Sequence, residues 1–147
     1  MPLSIDELRR KVEEYHNKGL NSQQIADELS LSQTTIQWLS SSNVPLDEET
    51  PSDIRVGWRS VAVKAARVEA VSYVFCDIIE EEIGEEVDTM VGISINGIPF
   101  AQAIAGQMDH ELAVSRSISE SDAGHLSEVF AYVSGKRVVV IDDVVSS

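Results

Sequence analysis

The sequence is short of several residue types, and each shortage excludes a class of protein. Cys76 is the single cysteine, so a disulfide framework is excluded. No apolar run approaches the roughly eighteen residues that a membrane helix needs, and the start shows no signal-peptide pattern. We therefore expect a cytoplasmic protein without a membrane partner. None of the eight glycines lies in a G-x-x-x-x-G-K-[ST] frame, which excludes a P-loop NTPase.

Basic residues are also scarce, since 11 Lys and Arg stand against 25 Asp and Glu, for a formal net charge of −14. This balance argues against a protein that wraps nucleic acid. The acid is concentrated in residues 46–147, whereas residues 1–45 are nearly balanced. A salty cytosol screens such an excess, which favours a salt-accumulating archaeal host.

The first forty residues predict three short helices. Ser4 and Glu7 form a capping box at the start of the first helix, and Gly19 ends it. Ser22 is predicted to cap the second helix and Ser32 the third, with a three-residue turn between them. The predicted inward-facing residues of the last two helices are Ile25, Ala26, Leu29, Ile36 and Leu39. This is the helix-turn-helix pattern.

The second helix of this pattern carries the residues expected to meet DNA. Four residues on its outward, N-terminal side are predicted to reach base edges: Ser32, Gln33, Thr34 and Gln37. Thr35 is expected to cap the helix or to contact phosphate. The phosphate-binding cations available are Arg9, Arg10, Lys11 and Lys18. With so few cations one copy should bind weakly, so we expect a homodimer. The alternative is a three-helix packing module that never touches DNA.

The composition changes after this module. We predict a helix-turn-helix DNA-binding module at 1–45, a linker at 46–53 with an acidic cluster beside prolines, and a second domain at 54–147. The second domain should begin with one long helix, from about 59 to 83, closed by Gly84. A strand at 89–95, a Gly-Pro loop, a helix at 100–108 and a strand at 111–115 then predict a parallel βαβ unit.

The last ten residues predict the ligand-binding edge of that domain. Val138–Ile141 is expected to be a strand buried on both faces, and Asp142 and Asp143 follow it. In open α/β sheets ligands bind outside the carboxyl ends of the strands. The two carboxylates suit ribose hydroxyls or Mg²⁺, and Ser146 and Ser147 suit a phosphate. Solvated acids that simply end a strand are the alternative.

The loop after the first predicted strand adds an anion site. The N–H groups of Asn96, Gly97 and Ile98 precede a helix, and helix starts attract anions. An ordinary turn between a strand and a helix is the alternative.

Two of these stretches resemble motifs of type I phosphoribosyltransferases. Residues 138–147 resemble the signature for phosphoribosyl pyrophosphate (PRPP), and the match stops at Ser147. Residues 96–100 resemble the pyrophosphate loop, with Asn96 in place of a Gly and Phe100 in place of a Leu. The resemblance implies an α/β fold in which a helix-turn-helix module precedes a parallel-sheet phosphoribosyltransferase-like domain that is incomplete at its C-terminus. We therefore expect weak or no PRPP binding and a tendency to pair or aggregate through an uncovered sheet edge.

The order of the two parts resembles the archaeal orotate phosphoribosyltransferase-like transcription regulators, of the type that controls glucose and fructose catabolism. This resemblance implies a regulator of sugar or nucleotide metabolism genes that binds double-stranded DNA, senses PRPP or a nucleotide, and dimerises through the transferase-like domain. Mg²⁺ would enter with PRPP, and no resident metal site or catalytic residue is expected.

Two other functions remain open. One is an active orotate phosphoribosyltransferase with an appended helix-turn-helix. The resemblance places a catalytic loop with a lysine after Arg116, but no lysine occurs between Arg116 and Gly135, and His125 is the only imidazole there. The other is a dimerisation scaffold without a ligand.

Overall fold

The computed structural model describes residues 3–41, 57–116 and 124–143. These residues form two compact units, a helical unit before residues 42–56 and an α/β unit after them. The predicted linker and its boundaries with both domains fall on residues outside this description, so they stay predictions.

The first unit contains three helices: α1 (Ile5–Asn17), α2 (Ser22–Leu29) and α3 (Gln33–Ser40). The capping box of α1 is present, because the Ser4 side chain accepts from the Glu7 N–H while the Glu7 carboxylate accepts from the Ser4 N–H. The cap of α2 was predicted one residue too late. Asn21, rather than Ser22, caps the helix in a reciprocal pair with Gln24, because the Asn21 backbone is extended while Ser22 is already helical.

One apolar core holds these helices together. Its buried members are Val12, Ile25, Ala26, Leu29, Ile36 and Leu39. The inward residues predicted for α2 and α3 are all buried, and Leu31 in the turn packs against them. Ile5, in the first turn of α1, is exposed.

The second unit begins with two helices where one long helix was predicted: α4 (Arg59–Ala62) and α5 (Ala65–Glu82). The chain is extended at Lys64, with φ −129° and ψ 117°, which breaks the helix. Neither glycine nor proline marks the break, so the sequence pattern could not show it. Gly84 follows α5 with φ +73°, as predicted for a residue that closes a helix, and starts a 3₁₀ turn, Gly84–Glu86.

A four-stranded sheet completes this unit. The strands are β1 (Thr89–Ile93), β2 (Glu111–Arg116), β3 (His125–Leu126) and β4 (Val138–Ile141), and the helix α6 (Gly97–Met108) connects β1 to β2. The strand order is β3-β2-β1-β4, and β1 is parallel to both β2 and β4. The predicted βαβ unit is therefore confirmed. The short β3 runs antiparallel to β2 and places His125 opposite Arg116, so His125 lies in a strand rather than in the predicted loop.

The core of the second unit lies between the sheet and the pair α5 and α6. Met90, Phe100 and Ile104 are buried there, and Ile141 brings β4 into the same cluster. The prediction that β4 is buried on both faces is wrong, because Val138 and Val140 are exposed. Within the described sheet β4 is an edge strand, and only its inward face meets α6. No helix in the described ranges is long and apolar enough to cross a bilayer.

Candidate functional site

The exposed surface at the start of α3 is the first candidate site. Ser32 caps the helix, with its Oγ accepting from the Thr35 N–H at 3.2 Å. Thr34 and Gln37 are exposed, whereas Ser32 and Gln33 are partly exposed. These four side chains are accessible and neutral, and they are rich in the hydroxyl and amide groups that hydrogen-bond to base edges.

Thr35 differs from the expectation that it contacts phosphate. Its side chain is only 7% exposed, and Ser32 Oγ lies 3.0 Å from its Oγ1. Helical geometry places residue 35 on the same side as the buried Ile36 and Leu39. Thr35 therefore packs in the core and supports the cap.

Two of the four cations expected to bind phosphates are occupied within the helical unit. The Arg9 guanidinium carbon lies 5.4 Å from the centre of the Trp38 ring, in cation–π geometry. Lys18 Nζ lies 2.6 Å from Glu14 Oε1, and this hydrogen bond lowers the pKa of Glu14 and raises that of Lys18. Arg10 is exposed and Lys11 partly exposed. The positive charge accessible to phosphates is thus smaller than the sequence count suggests.

The second candidate site is the edge of the sheet where β1 and β4 end. Gly92 and Ile141 are register partners, so the residues that follow them meet at one edge. A β-carbon on Gly97 would lie 2.3 Å from the carbonyl oxygen of Ile141 and 3.1 Å from Asp142 Cα. The start of α6 therefore touches the backbone of the acidic pair. The Gly-Pro loop predicted to precede a helix at 100–108 is instead the first turn of α6, because proline is tolerated at the start of a helix. This turn lies against the Asp142 backbone.

Two glycines make this approach possible. Gly97 allows α6 to contact the end of β4, and Gly92 allows the same helix to contact β1. A β-carbon on Gly92 would lie 2.9 Å from Ile98 Cα and 3.0 Å from Ala101 Cβ. Gly97 was among the predicted ligand-binding residues and Gly92 was not, although an isolated glycine inside a strand is a signal of close backbone approach.

The backbone of the acidic pair, Asp142 and Asp143, is held by two hydrogen bonds, one within the pair and one from a tryptophan. Asp142 Oδ1 accepts from the Asp143 N–H at 2.9 Å, and the Trp58 indole N–H donates to the Asp143 carbonyl at 3.1 Å. The Trp58 ring also packs edge-on against Phe100 in α6, with ring centres 5.3 Å apart. Trp58 thus fixes the strand end relative to the helix. No sequence signal assigned it this role, because the contact spans nearly the whole unit.

The start of α6 has no side-chain cap. Asn96, at the N-cap, has helical backbone angles of −76° and −30° and makes no capping hydrogen bond through its side chain. The N–H groups of Gly97 and Ile98 therefore lie at the positive end of a twelve-residue helix, next to the acidic pair. Such a position suits the phosphate of a ligand whose hydroxyls face the carboxylates.

Several predicted features fall on residues that the structure does not describe. They are Ser146, Ser147 and residues 117–123 of the predicted catalytic loop. In the described part of the chain, no group of three or more His, Cys, Asp or Glu side chains is placed to hold a metal ion.

Comparison with known proteins matches both units. The sequence model of the phosphoribosyl transferase domain matches residues 58–147. A transcriptional regulator GfcR from Thermoplasma acidophilum is 44% identical over 98% of this chain and 74% of its own length. A transcriptional regulator GfcR from Picrophilus torridus is 38% identical over 98% of this chain and 75% of its own length.

Comparison with solved structures gives a weaker match. The crystal structure of orotate phosphoribosyltransferase from Aeropyrum pernix aligns with 69% of this chain and 55% of its own, at 18% identity and a TM-score of 0.41.

Proposed function

Because the chain belongs to the GfcR family of transcriptional regulators and contains a phosphoribosyl transferase domain, it is a DNA-binding regulator, and we propose a separate function for each of its two units. The helical unit contacts double-stranded DNA through Ser32, Gln33, Thr34 and Gln37. The α/β unit senses PRPP or a nucleotide at the edge formed by Asn96, Gly97, Ile98, Asp142 and Asp143, and it is the dimerisation unit. The protein acts in the cytoplasm on genes of sugar or nucleotide metabolism.

The observation that carries the DNA-binding surface is the capped, exposed start of α3. The Ser32 cap fixes where the helix begins, and the buried Thr35 and Ile36 fix which side of it faces outward. Gln33 and Gln37 are then one helical turn apart on the accessible side, as in a helix that enters the major groove. Gln pairs bidentately with adenine, which gives this surface sequence preference despite its low positive charge.

Replacement of Gln33 by alanine tests this surface. If Gln33 reads a base edge, the Gln33→Ala protein loses about 1 to 3 kcal/mol of binding to its selected site and discriminates less between sites. The measurement is selection of bound fragments from genomic DNA, followed by titration at fixed salt. Asn17→Ala is the matched control, because Asn17 is an exposed neutral residue in the last turn of α1. The adjacent His16 lies beside Ser40, so this part of α1 is near the end of α3 and away from its start. Unchanged preference in Gln33→Ala excludes the proposed readout.

The observation that carries the sensor is the contact between Gly97 and the backbone at Ile141 and Asp142. It brings helix N–H groups and two carboxylates within reach of one small ligand. Phosphate at the helix start and hydroxyls at the acids are the complementary groups of a phosphorylated ribose. One or two carboxylates together with ligand phosphates are a usual set for Mg²⁺, so Asp142 and Asp143 fit a Mg²⁺ ion that enters with the ligand.

Trp58 provides the readout for this site. In a Trp38→Phe background it is the only tryptophan, and it bonds directly to Asp143. We expect PRPP with Mg²⁺ to change its fluorescence, and the change to be lost when Asp142 and Asp143 are both replaced by asparagine. Asp109→Asn, which makes the same type of substitution at the other end of α6, is the control. An equal fluorescence change in both variants would show that the acidic pair does not belong to the ligand site.

Two further measurements separate the remaining functions. The absence of a lysine between Arg116 and Gly135 favours a sensor over a transferase, because a leaving pyrophosphate needs cationic donors. Formation of orotidine monophosphate from orotate and PRPP at ordinary enzymatic rates would reverse that judgement. If calorimetry detects no binding of PRPP or nucleotides, the α/β unit is a dimerisation scaffold without a ligand.

A further inference from the structure

The outward face of α5 carries an apolar stripe with a basic and an acidic end. The opposite, buried side of α5 carries Val68, Ser72, Cys76 and Ile79. On the outward side Val74 is 59% exposed and Ile78 is 46% exposed. Ala70 lies one turn before Val74, while Arg67 and Glu81 lie at the two ends. We name this surface, residues 67, 70, 74, 78 and 81, the α5 stripe.

The α5 stripe is symmetric about its centre. Its spacings are three, four, four and three residues, so Val74 stands midway between Ala70 and Ile78, and also midway between Arg67 and Glu81. When two such helices run antiparallel across a two-fold axis at Val74, each Arg67 faces a Glu81 and each Ala70 faces an Ile78. Opposite charges meet at the ends, small residues oppose large ones, and the helix dipoles oppose each other.

We propose that the α5 stripe binds the α5 stripe of a second copy of this chain. A two-fold interface uses the same patch on both copies, and this stripe meets that condition in shape and charge. In the described part of the chain neither Arg67 nor Glu81 forms an ion pair. Arg67 donates through Nη1 to the carbonyl of Ser60, and its other guanidinium N–H groups can still donate to a carboxylate of the partner. The proposal deepens the proposed function and rests on it in one respect: a helix-turn-helix with little positive charge needs two copies to hold DNA.

The charge pattern selects a second copy over an unrelated acidic or basic partner. An acidic partner would be repelled by Glu81, and a basic one by Arg67. A self-complementary stripe satisfies both ends at once. The chain as a whole carries −14, so association has to overcome general repulsion, and the two reciprocal Arg–Glu contacts supply local attraction where the helices meet.

Replacement of Val74 tests the contact at its centre. Val74→Asp places two carboxylates face to face across the axis, and we expect the dissociation constant of the dimer to rise at least about a hundredfold in sedimentation velocity. Val140→Asp is the control, because Val140 is also 59% exposed but lies on β4. Circular dichroism checks that both variants fold. A monomeric wild type, or a Val74→Asp protein that still dimerises, overturns the proposal.

A charge exchange tests the orientation. Arg67→Glu and Glu81→Arg should each weaken the dimer about tenfold, and the double variant should restore it to within about threefold of wild type. A parallel arrangement would place like residues together, so its double variant would show no rescue, and that result contradicts the antiparallel contact.

A cross-link tests the register. Val74→Cys should form an intermolecular disulfide on oxidation, because the two positions face each other across the axis. The wild type provides one control, since its only thiol, Cys76, is buried, and burial raises the pKa of that thiol. Gln102→Cys, exposed on α6, provides another. Failure of Val74→Cys to cross-link more readily than Gln102→Cys overturns the register.

The proposed function and the α5 contact fail in different ways. If Gln33→Ala alters DNA preference but the wild type is monomeric, the α5 contact is wrong and the DNA surface stands. If the dimer is confirmed but Gln33→Ala has no effect, the DNA surface is wrong and the α5 contact stands.

Discussion

The two units of this chain are stabilised in different ways. In the helical unit all three helices begin with a side-chain cap, from Ser4, Asn21 and Ser32. In the α/β unit, α4, α5 and α6 have no side-chain capping bond in the described residues. This unit is joined instead by contacts between stretches that are far apart in the chain, such as the pairing of β1 with β4 and the hydrogen bond from Trp58 to Asp143. Local chemistry specifies the first unit, and tertiary packing specifies the second.

The candidate sites follow the same division. The residues proposed to face DNA lie within one and a half turns of a single helix, so their relative positions are fixed once α3 forms. The proposed ligand edge joins the start of α6 to the end of β4, two stretches that are distant in the sequence. The geometry of this edge depends on the whole α/β unit. It should therefore be more sensitive than the α3 surface to single substitutions that displace the backbone.

The largest effect is expected at Gly97. Gly97→Ala places a β-carbon 2.3 Å from the Ile141 carbonyl oxygen, so backbone must move, and we expect the α/β unit to lose about 3 kcal/mol of stability. The measurement is urea unfolding followed by Trp58 fluorescence in the Trp38→Phe background.

Gly106→Ala, in the same helix, is the matched control for Gly97→Ala. A β-carbon at Gly106 would meet nothing within 4 Å, so this change should stabilise the unit by about 0.5 to 1 kcal/mol. The opposite signs are the critical result. Two changes of the same sign would mean that the close approach of α6 to β4 does not control stability.

The amount that the sequence could predict also differs between the units. In the helical unit the core residues of α2 and α3 were predicted from periodicity and confirmed, and the one capping error was a shift from Asn21 to Ser22. Both residue types cap helices well, so propensity alone could not choose between them. The backbone conformation at residue 21 decides.

In the α/β unit the strands β1, β2 and β4 and the βαβ order were predicted, because short apolar runs between turn residues carry that signal. The break at Lys64 and the exposure of Val140 were not. The break leaves no mark in residue types, and the exposure of a strand face depends on which elements cover it. The role of Trp58 was missed for the same reason, since its partner lies at the opposite end of the unit.

Asn21 gives the next largest effect and tests the local side of the comparison. Asn21→Ala removes the acceptor for the Gln24 N–H, and we expect the helical unit to lose about 1 kcal/mol. Ser22→Ala should change stability by less than about 0.5 kcal/mol, because Ser22 is a helical residue rather than the cap. Urea unfolding followed by Trp38 fluorescence in a Trp58→Phe background reports on this unit. A larger loss of stability from Ser22→Ala than from Asn21→Ala would mean that Ser22 caps the helix.

The smallest effect concerns a long-range ion pair compared with a local one. The Lys136 side chain donates a hydrogen bond to Glu111, and this bond, with the Lys136 charge, lowers the pKa of Glu111 from its ordinary value of 4.5. Because the folded pKa is depressed, the contribution to stability is present above about pH 4.5 and is lost as the pH falls through the folded value. Lys136→Met should therefore raise the pKa of Glu111 in an NMR titration and weaken the α/β unit slightly at neutral pH but not in acid.

Lys18→Met provides the comparison within the helical unit. Lys18 and Glu14 are one turn apart in α1, so removing the lysine should raise the pKa of Glu14 and leave the α/β unit unchanged. If each substitution shifts only the carboxylate and the unfolding transition of its own unit, the two units are energetically independent under these conditions. If Lys136→Met also shifts the transition that Trp38 reports, the units are coupled. Coupling of this kind is what a ligand at the sheet edge needs to alter DNA binding, so the pair of variants measures the property that a sensor requires.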